Sequence, residues 1–224
     1  MSKKIIRPQV AQLYRLRFKR ELESRNEIWK VLCSDFFQKY VGQSDTVCDL
    51  GAGYCEFINN IKAKNKIAVD INPDTKKFAG KNVRVIITSS TKLPNKLTNN
   101  IDVVFASNFF EHLPTKEDIT RTLTEIKKVL VRNGKLIILM PNLRYVGAAY
   151  WDFLDHQLPL TDMSMIESLE LNGFKIIEKR AKFLPYSTKS KLPKAPIFVS
   201  LYLKLKPLHL IFGKQSLIVA LKNK

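Results

Sequence analysis

The side chains best suited by type and spacing to do chemistry fall in residues 47–57, VCDLGAGYCEF, of this 224-residue chain. Asp49 places a carboxylate at the end of a short apolar run, and Gly51, Ala52 and Gly53 then form a turn built from small residues. Glycine is needed there because a larger residue would keep a ligand away from the main chain. A dinucleotide-binding turn would carry a third glycine, but Glu56 stands in that place, which disfavours a pyrophosphate. Asp70, with Ile71 after it, follows at the end of the next apolar run, about 20 residues on, where a carboxylate can accept both hydroxyls of a ribose. The competing reading makes Asp70 a helix cap ahead of Asn72 and Pro73.

The remaining candidates are histidines, of which the chain has three. His156 lies in YWDFLDHQLPLT (150–161) beside Asp155, with Tyr145, Tyr150, Trp151 and Phe153 as stacking surface. It is a candidate general base, and the alternative is a structural histidine hydrogen-bonded within a loop. His112 is the second candidate. His209 lies in a basic C-terminal stretch and reads as unrelated to catalysis. No metal site is expected: Cys33, Cys48 and Cys55 are odd in number and lack ligand spacing, which suits a reduced cytosolic setting.

The elements that must position these residues follow from hydrophobic periodicity. Leu13, Leu16, Leu22, Ile28, Trp29, Leu32, Phe36 and Phe37 recur at helical steps and predict a helix over 9–40. Apolar runs predict strands at 45–50, 66–70, 83–87, 101–106, 135–140, 174–179 and 215–221. Between them, helices are expected at 54–61, after Pro73, over 116–131 up to Asn133 and Gly134, and from Thr161 or Asp162 to Leu171. Alternating strands and helices imply an α/β fold, doubly wound around a mostly parallel seven-stranded sheet with helices on both faces. The chain divides into an N-terminal helical cap (1–40), a core that includes a substrate loop (41–182, loop 141–161), and a basic apolar insertion with the final strand of the same domain (183–224).

In order and type these motifs resemble those of class I S-adenosylmethionine-dependent methyltransferases, over about residues 41 to 180. The resemblance implies a Rossmann-like fold with S-adenosyl-L-methionine as cofactor. Asp49 would sit near the cofactor's amino acid part, with Gly51, Ala52 and Gly53 beneath it, and Asp70 and Ile71 at the ribose. The family places an acid after the third strand to meet the adenine amino group. Here TSSTKLP (88–94) keeps Leu93 and Pro94 but has Ser89 in that place, leaving Ser90 to offer its backbone amide to the ring. Ser107 and Asn108 would approach the cofactor, and Glu111, His112 and Leu113 match the family's Glu-His-Leu after the fourth strand, where the histidine more often orders the site than moves a proton. Cys55 departs from a glycine common in the family. Within the family, residues from Trp151 to Lys191 resemble a methyltransferase type 11-like bacterial subgroup associated with surface glycans.

The resemblance implies an enzyme that methylates an oxygen of a small molecule or a saccharide, the latter lipid-linked or part of a surface glycan. A hydroxyl acceptor must lose its proton, which is the work expected of His156.

Net charge adds a question about partners. Residues 1–40 hold 10 basic and 4 acidic side chains, residues 41–174 hold 16 and 15, and residues 175–224 hold 12 and 1. Basic ends around a neutral core suit an anionic membrane surface, a nucleic acid or a phosphorylated substrate. The stretch 196–213 intersperses Ile197, Phe198, Leu201, Tyr202, Leu205, Leu208, Ile211 and Phe212 with lysines. It is too interrupted to span a bilayer and either packs on the sheet or lies on the inner face of a membrane. No signal peptide is read at the N-terminus. The alternative functions are a nucleic-acid methyltransferase, which lacks its usual motifs at residues 107–110, and a non-catalytic protein of this fold that binds a membrane or partner.

Overall fold

The computed structural model describes Gln12, residues 22–186 and residues 195–223. Its centre is one sheet of seven strands: β1 (Thr46–Leu50), β2 (Asn65–Asp70), β3 (Val83–Ile87), β4 (Ile101–Ser107), β5 (Leu130–Pro141), β6 (Phe174–Leu184) and β7 (Gln215–Lys222). They lie in the order β3-β2-β1-β4-β5-β7-β6. The first five run parallel, while β7 inserts antiparallel between β5 and β6. This is the Rossmann-like doubly wound sheet expected from the sequence.

Strand alternation explains why the sheet is covered on both sides. In β4, Val104 and Ala106 face one apolar cluster, and Val103 and Phe105 face the other. In β5, Leu136, Ile138 and Met140 alternate in the same way with Ile137 and Leu139. Each face therefore needs a helical layer. One layer holds α4 (Lys116–Val129) and α6 (Asp162–Leu171), which bury Ile119, Leu123, Ile126, Met165 and Leu169. The other holds α1 (Leu22–Asp35) and α2 (Glu56–Asn60), with α7 (Pro196–Lys204) beside them. The short helices α3 (Thr75–Phe78), α5 (Leu143–Val146) and α8 (Lys206–Phe212) complete the fold.

Both main helices of the first layer start on a side-chain cap. Thr115 Oγ1 accepts from the Asp118 amide, and Thr161 forms a reciprocal capping box with Ser164.

Several boundaries differ from those expected, each for a local reason. The helix predicted over 9–40 stops at Asp35, because Phe36 leaves helical geometry (φ −133°) and sets its ring 4.4 Å from Phe183. A separate 3-10 turn, Phe37–Tyr40, follows. Apart from Gln12, the part of that helix before Leu22 lies outside the described residues.

The helix expected to reach residue 131 ends at Val129, and β5 begins at Leu130, five positions early. Its pairing with β4 slips between Ile101 and Val103, and Asn133 takes a left-handed φ of 59°. The Asn133 and Gly134 pair is therefore a kink inside a strand rather than a helix stop. The helix expected over 54–61 shrinks to Glu56–Asn60, since Cys55 also sits in the left-handed region (φ 61°). The irregular loop after β5 carries α5 and a 3-10 turn, Gly147–Asp152.

Phe105 joins the sheet to α1. Its ring stacks on Phe57 at 3.7 Å and meets Phe37 edge-on at 5.1 Å and Trp29 at 6.0 Å. Phe105→Ala is expected to destabilise the chain by about 3–5 kcal/mol in urea unfolding, the range for an aromatic removed from a closed core. A loss below about 1 kcal/mol would show that this cluster does not hold the helical layer to the sheet.

Candidate functional site

The strand order reverses at β1, with β2 on one side and β4 on the other, and crevices at such switch points open at the carboxyl ends of the strands. Those ends carry the predicted residues. Beyond Leu50 the backbone turns at Gly51 (φ 75°) and Gly53 (φ 50°). The amides of Gly51 and Ala52 both donate to the Val69 carbonyl, at 2.8 and 3.2 Å, which locks the turn against the end of β2. A side chain at Gly51 would meet the Phe109 ring at 2.5 Å, so only glycine fits between that ring and the turn.

Asp70 ties the same turn from the other side. One carboxylate oxygen accepts the Gly53 amide and the other the Asn72 amide, both at 2.7 Å. It does not cap the helix that follows: α3 starts at Thr75, and Asn72 Oδ1 receives the Asp74 amide. A carboxylate has about four acceptor positions, so its backbone partners leave room for a ligand. Asp49 is 4% exposed and Asp70 9%. Burial, then the carboxylates of Asp70 and Glu56, push Asp49 well above the usual carboxylate range, against a hydrogen bond from the Ile58 backbone. Burial likewise raises Asp70, opposed by backbone hydrogen bonds from Asn72, Gly53 and Ile71.

The other predicted cofactor residues ring the same edge. Ile71, Ser89, Ser107 and Asn108 are half-buried at the ends of β2, β3 and β4. Asn108 adopts a left-handed φ of 47°, donates its amide to Leu139 and reaches Ser107 Oγ through its side-chain nitrogen. Ser89 Oγ pairs with Thr91 Oγ1 at 2.9 Å. Ser90 turns its hydroxyl away, onto Thr122 of α4 at 2.9 Å, which leaves its backbone as the part able to meet a ligand. Sequence reasoning misses Asn72 and Phe109. The first enters only as part of the capping alternative, and the second gives no signal beyond its apolar type.

The three expected catalytic residues also come together. The 3-10 turn after β4, Phe110–His112, meets the loop after β5. Backbone amides of Gln157 and Leu158 donate to the Glu111 carbonyl, and His112 Nδ1 lies 3.0 Å from the Asp155 carbonyl and 3.4 Å from its carboxylate. The rings of His112 and His156 are 5.0 Å apart. His156 packs against Phe153 at 5.2 Å and Tyr150 at 4.6 Å, whose buried hydroxyl bonds the Leu158 carbonyl. Trp151 packs edge-on against Tyr150 at 5.2 Å with half of its surface exposed, and Tyr145 faces Lys182. His209 is held by the Tyr202 carbonyl in the opposite layer, apart from this cluster. Glu111, in sequence only one letter of a motif, is buried, and burial raises its carboxyl to about 7 despite the neighbouring His112.

Comparison with known proteins agrees with this layout. Residues 48–138 match a family described as a methyltransferase domain. An uncharacterized protein of Methanocaldococcus jannaschii is 31% identical over 152 residues, covering 66% of this chain and 64% of that protein. The chain thus spans less than two thirds of that relative's length. Among solved structures, a S-adenosylmethionine-dependent methyltransferase of Archaeoglobus fulgidus superposes with a TM-score of 0.63 at 23% identity, covering 92% of this chain and 99% of that one. A protein solved in complex with the Trm112 methyltransferase activator of Haloferax volcanii gives 0.69 at 14% identity, covering 92% and 95%.

Fold, motif order and matched segment define a Rossmann-like methyltransferase domain. Residues 48–138 thus carry the match to the methyltransferase domain family, and the fold is that of S-adenosylmethionine-dependent methyltransferases, whose cofactor is S-adenosylmethionine.

The residues present suit that cofactor. Among the described residues no cation pairs with Asp49 or Asp70, and two buried carboxylates without a counter-ion favour a ligand that brings positive charge and hydroxyl donors. Because burial holds both acids above their ordinary range, protonation on acidification removes their negative charge at a higher pH than for exposed aspartates. Cofactor affinity is therefore expected to decline on acidification at a higher pH than exposed aspartates would give, before about pH 4 is reached. Calorimetric titrations at stepped pH check this, and an affinity that stays level down to about pH 4 would contradict it.

Proposed function

We propose that this chain transfers a methyl group from S-adenosylmethionine to a hydroxyl oxygen of a small molecule or saccharide. The observation that carries the reading is the pair of buried acids, Asp49 and Asp70, on either side of a glycine turn at the sheet's switch point. The cofactor, when bound, supplies a methyl carbon already activated by a sulfonium. Asp70 would hold the ribose hydroxyls, Asp49 the amino acid part, and Ser89 and the Ser90 backbone the adenine. Ser107 and Asn108 would face the cofactor from the end of β4.

What remains for the protein is alignment and one proton. The aromatic loop beside the crevice excludes water from the acceptor. His156 would accept the proton that the acceptor hydroxyl gives up as it takes the methyl group. Asp155 holds His112 in place through its carbonyl.

The apolar C-terminal segment supports a second element of this reading, a cytoplasmic enzyme that meets the inner face of a membrane. Tyr202, Leu203 and His209 pack inward, while Ile197, Phe198, Leu210 and Ile211 stay at least half exposed. Four exposed apolar residues on two successive helices, set among 12 basic and 1 acidic residues over 175–224, suit a contact with anionic lipid. Among the described residues no helix is long and apolar enough to cross a membrane. Sedimentation with phosphatidylglycerol vesicles is expected to retain the wild type and to lose most of it for Ile211→Asp with Leu210→Asp. Equal retention on neutral phosphatidylcholine vesicles, or none on either, removes the membrane element.

For the reaction itself, Asp70→Ala is expected to weaken cofactor binding by at least about tenfold, the effect of losing a charge-assisted bidentate partner. His156→Ala should lower turnover by about 100-fold or more while leaving cofactor affinity in place. A methyl-transfer assay over nucleotide sugars and lipid-linked saccharides, paired with calorimetry, reads both. Undiminished binding by Asp70→Ala removes that residue from the cofactor site, and an unchanged rate for His156→Ala on an accepted substrate removes the histidine from proton transfer.

A further inference from the structure

Glu111, His112 and His156 each offer one ligand atom, and the three atoms lie within 4.8 Å of one another. A transition-metal ion with bonds of about 2.0–2.2 Å places its ligand atoms roughly 3–3.5 Å apart, so small side-chain rotations suffice to close the set. Glu111 is 1% exposed, and neither of its carboxylate oxygens has a hydrogen-bond partner beyond its own backbone. An orphaned carboxylate in the interior is among the costliest groups to bury, and a cation beside it removes that cost.

The tautomer of His112 is also set for coordination. Its Nδ1 lies 3.0 Å from the Asp155 carbonyl, which can only accept, so Nδ1 carries the proton. Nε2, 3.9 Å from Glu111 Oε1, keeps its lone pair. Histidines that bind metals commonly donate their other N–H to a carbonyl or carboxylate in this way.

We propose that Glu111, His112 and His156 bind a single divalent transition-metal ion of the zinc class at the carboxyl end of β4. Two imidazoles with one carboxylate suit zinc, iron(II) or manganese over calcium or magnesium, which prefer all-oxygen sets. The sequence carries no expectation of a metal, since ligand searches rely on local spacing and these ligands meet only through the fold. His112 is the half-buried member, so the set opens on its side toward solvent.

The ion's part in catalysis rests on the methyl-transfer reading above. An acceptor hydroxyl bound to the ion becomes more acidic. In the ion-bound chain His156 is a ligand, which replaces the proton-accepting role proposed above for the ion-free chain, and the hydroxyl proton would leave to bulk water.

The test uses the full chain stripped of metal with a chelator, titrated with Zn²⁺ by calorimetry and with Co²⁺ by visible absorption. One ion per chain and a Co²⁺ ligand-field band are expected, with Glu111→Gln and His156→Gln each weakening binding by at least about tenfold. Should either variant fail to fold by circular dichroism, the wild type alone decides: bound zinc is expected to protect His112 and His156 from diethylpyrocarbonate. No saturable binding, binding undiminished in both folded variants, or modification indifferent to zinc each overturns the site. S-adenosylmethionine titrated into the same samples separates the two readings. A chain that binds the cofactor but never the ion loses only the metal site, and one that binds the ion but not the cofactor loses only the methyl-transfer role.

Discussion

Burying two carboxylates at the ends of neighbouring parallel strands is the constraint around which the rest of the molecule is arranged. Left alone, such acids resist ionisation, and both are held above their usual range by desolvation. Asp70 meets part of that cost by accepting two backbone amides, and in doing so it fixes Gly53 and the whole turn. Gly51 and Ala52 add their own bonds to Val69, so β1, the glycine turn and β2 behave as one rigid unit. The parallel sheet makes this possible, because it brings the ends of β1 and β2 side by side in register. Helical layers then cover both faces of that sheet.

Much of this is legible in the sequence because it depends on short-range patterns. Seven apolar runs correspond to seven strands, and the small residues after Asp49 to the turn. The boundaries fail where a residue takes an unusual backbone conformation. Cys55 and Asn133 both lie in the left-handed region, one shortening a helix and the other kinking a strand that propensity would begin later. Cysteine gives no hint of that conformation, and asparagine, which adopts it more readily than most residues, does so too seldom to fix the position. The antiparallel insertion of β7 between β5 and β6 likewise has no local signature, since Gln215–Lys222 reads only as an apolar run.

The histidine cluster is legible in part. His112, Asp155 and His156 each stand out for their chemistry and their place after a strand, and the fold brings them together through the contact of one loop with another. What one sequence cannot convey is the burial of Glu111, whose neighbours come from both loops. The C-terminal segment shows the same limit. Its periodicity does not say which apolar residues face inward, and the structure divides them, with Tyr202 and Leu203 against the sheet layer and Ile197 and Leu210 outward.

All of the functional reading depends on what the crevice beside Asp49 and Asp70 holds. Equilibrium dialysis of the wild-type chain at neutral pH against S-adenosylmethionine, S-adenosylhomocysteine and NAD measures this without knowledge of the acceptor. Saturable uptake of the two sulfur nucleosides, one per chain, with no uptake of NAD is the predicted result. Uptake of NAD in their place, or of none of the three, would contradict it.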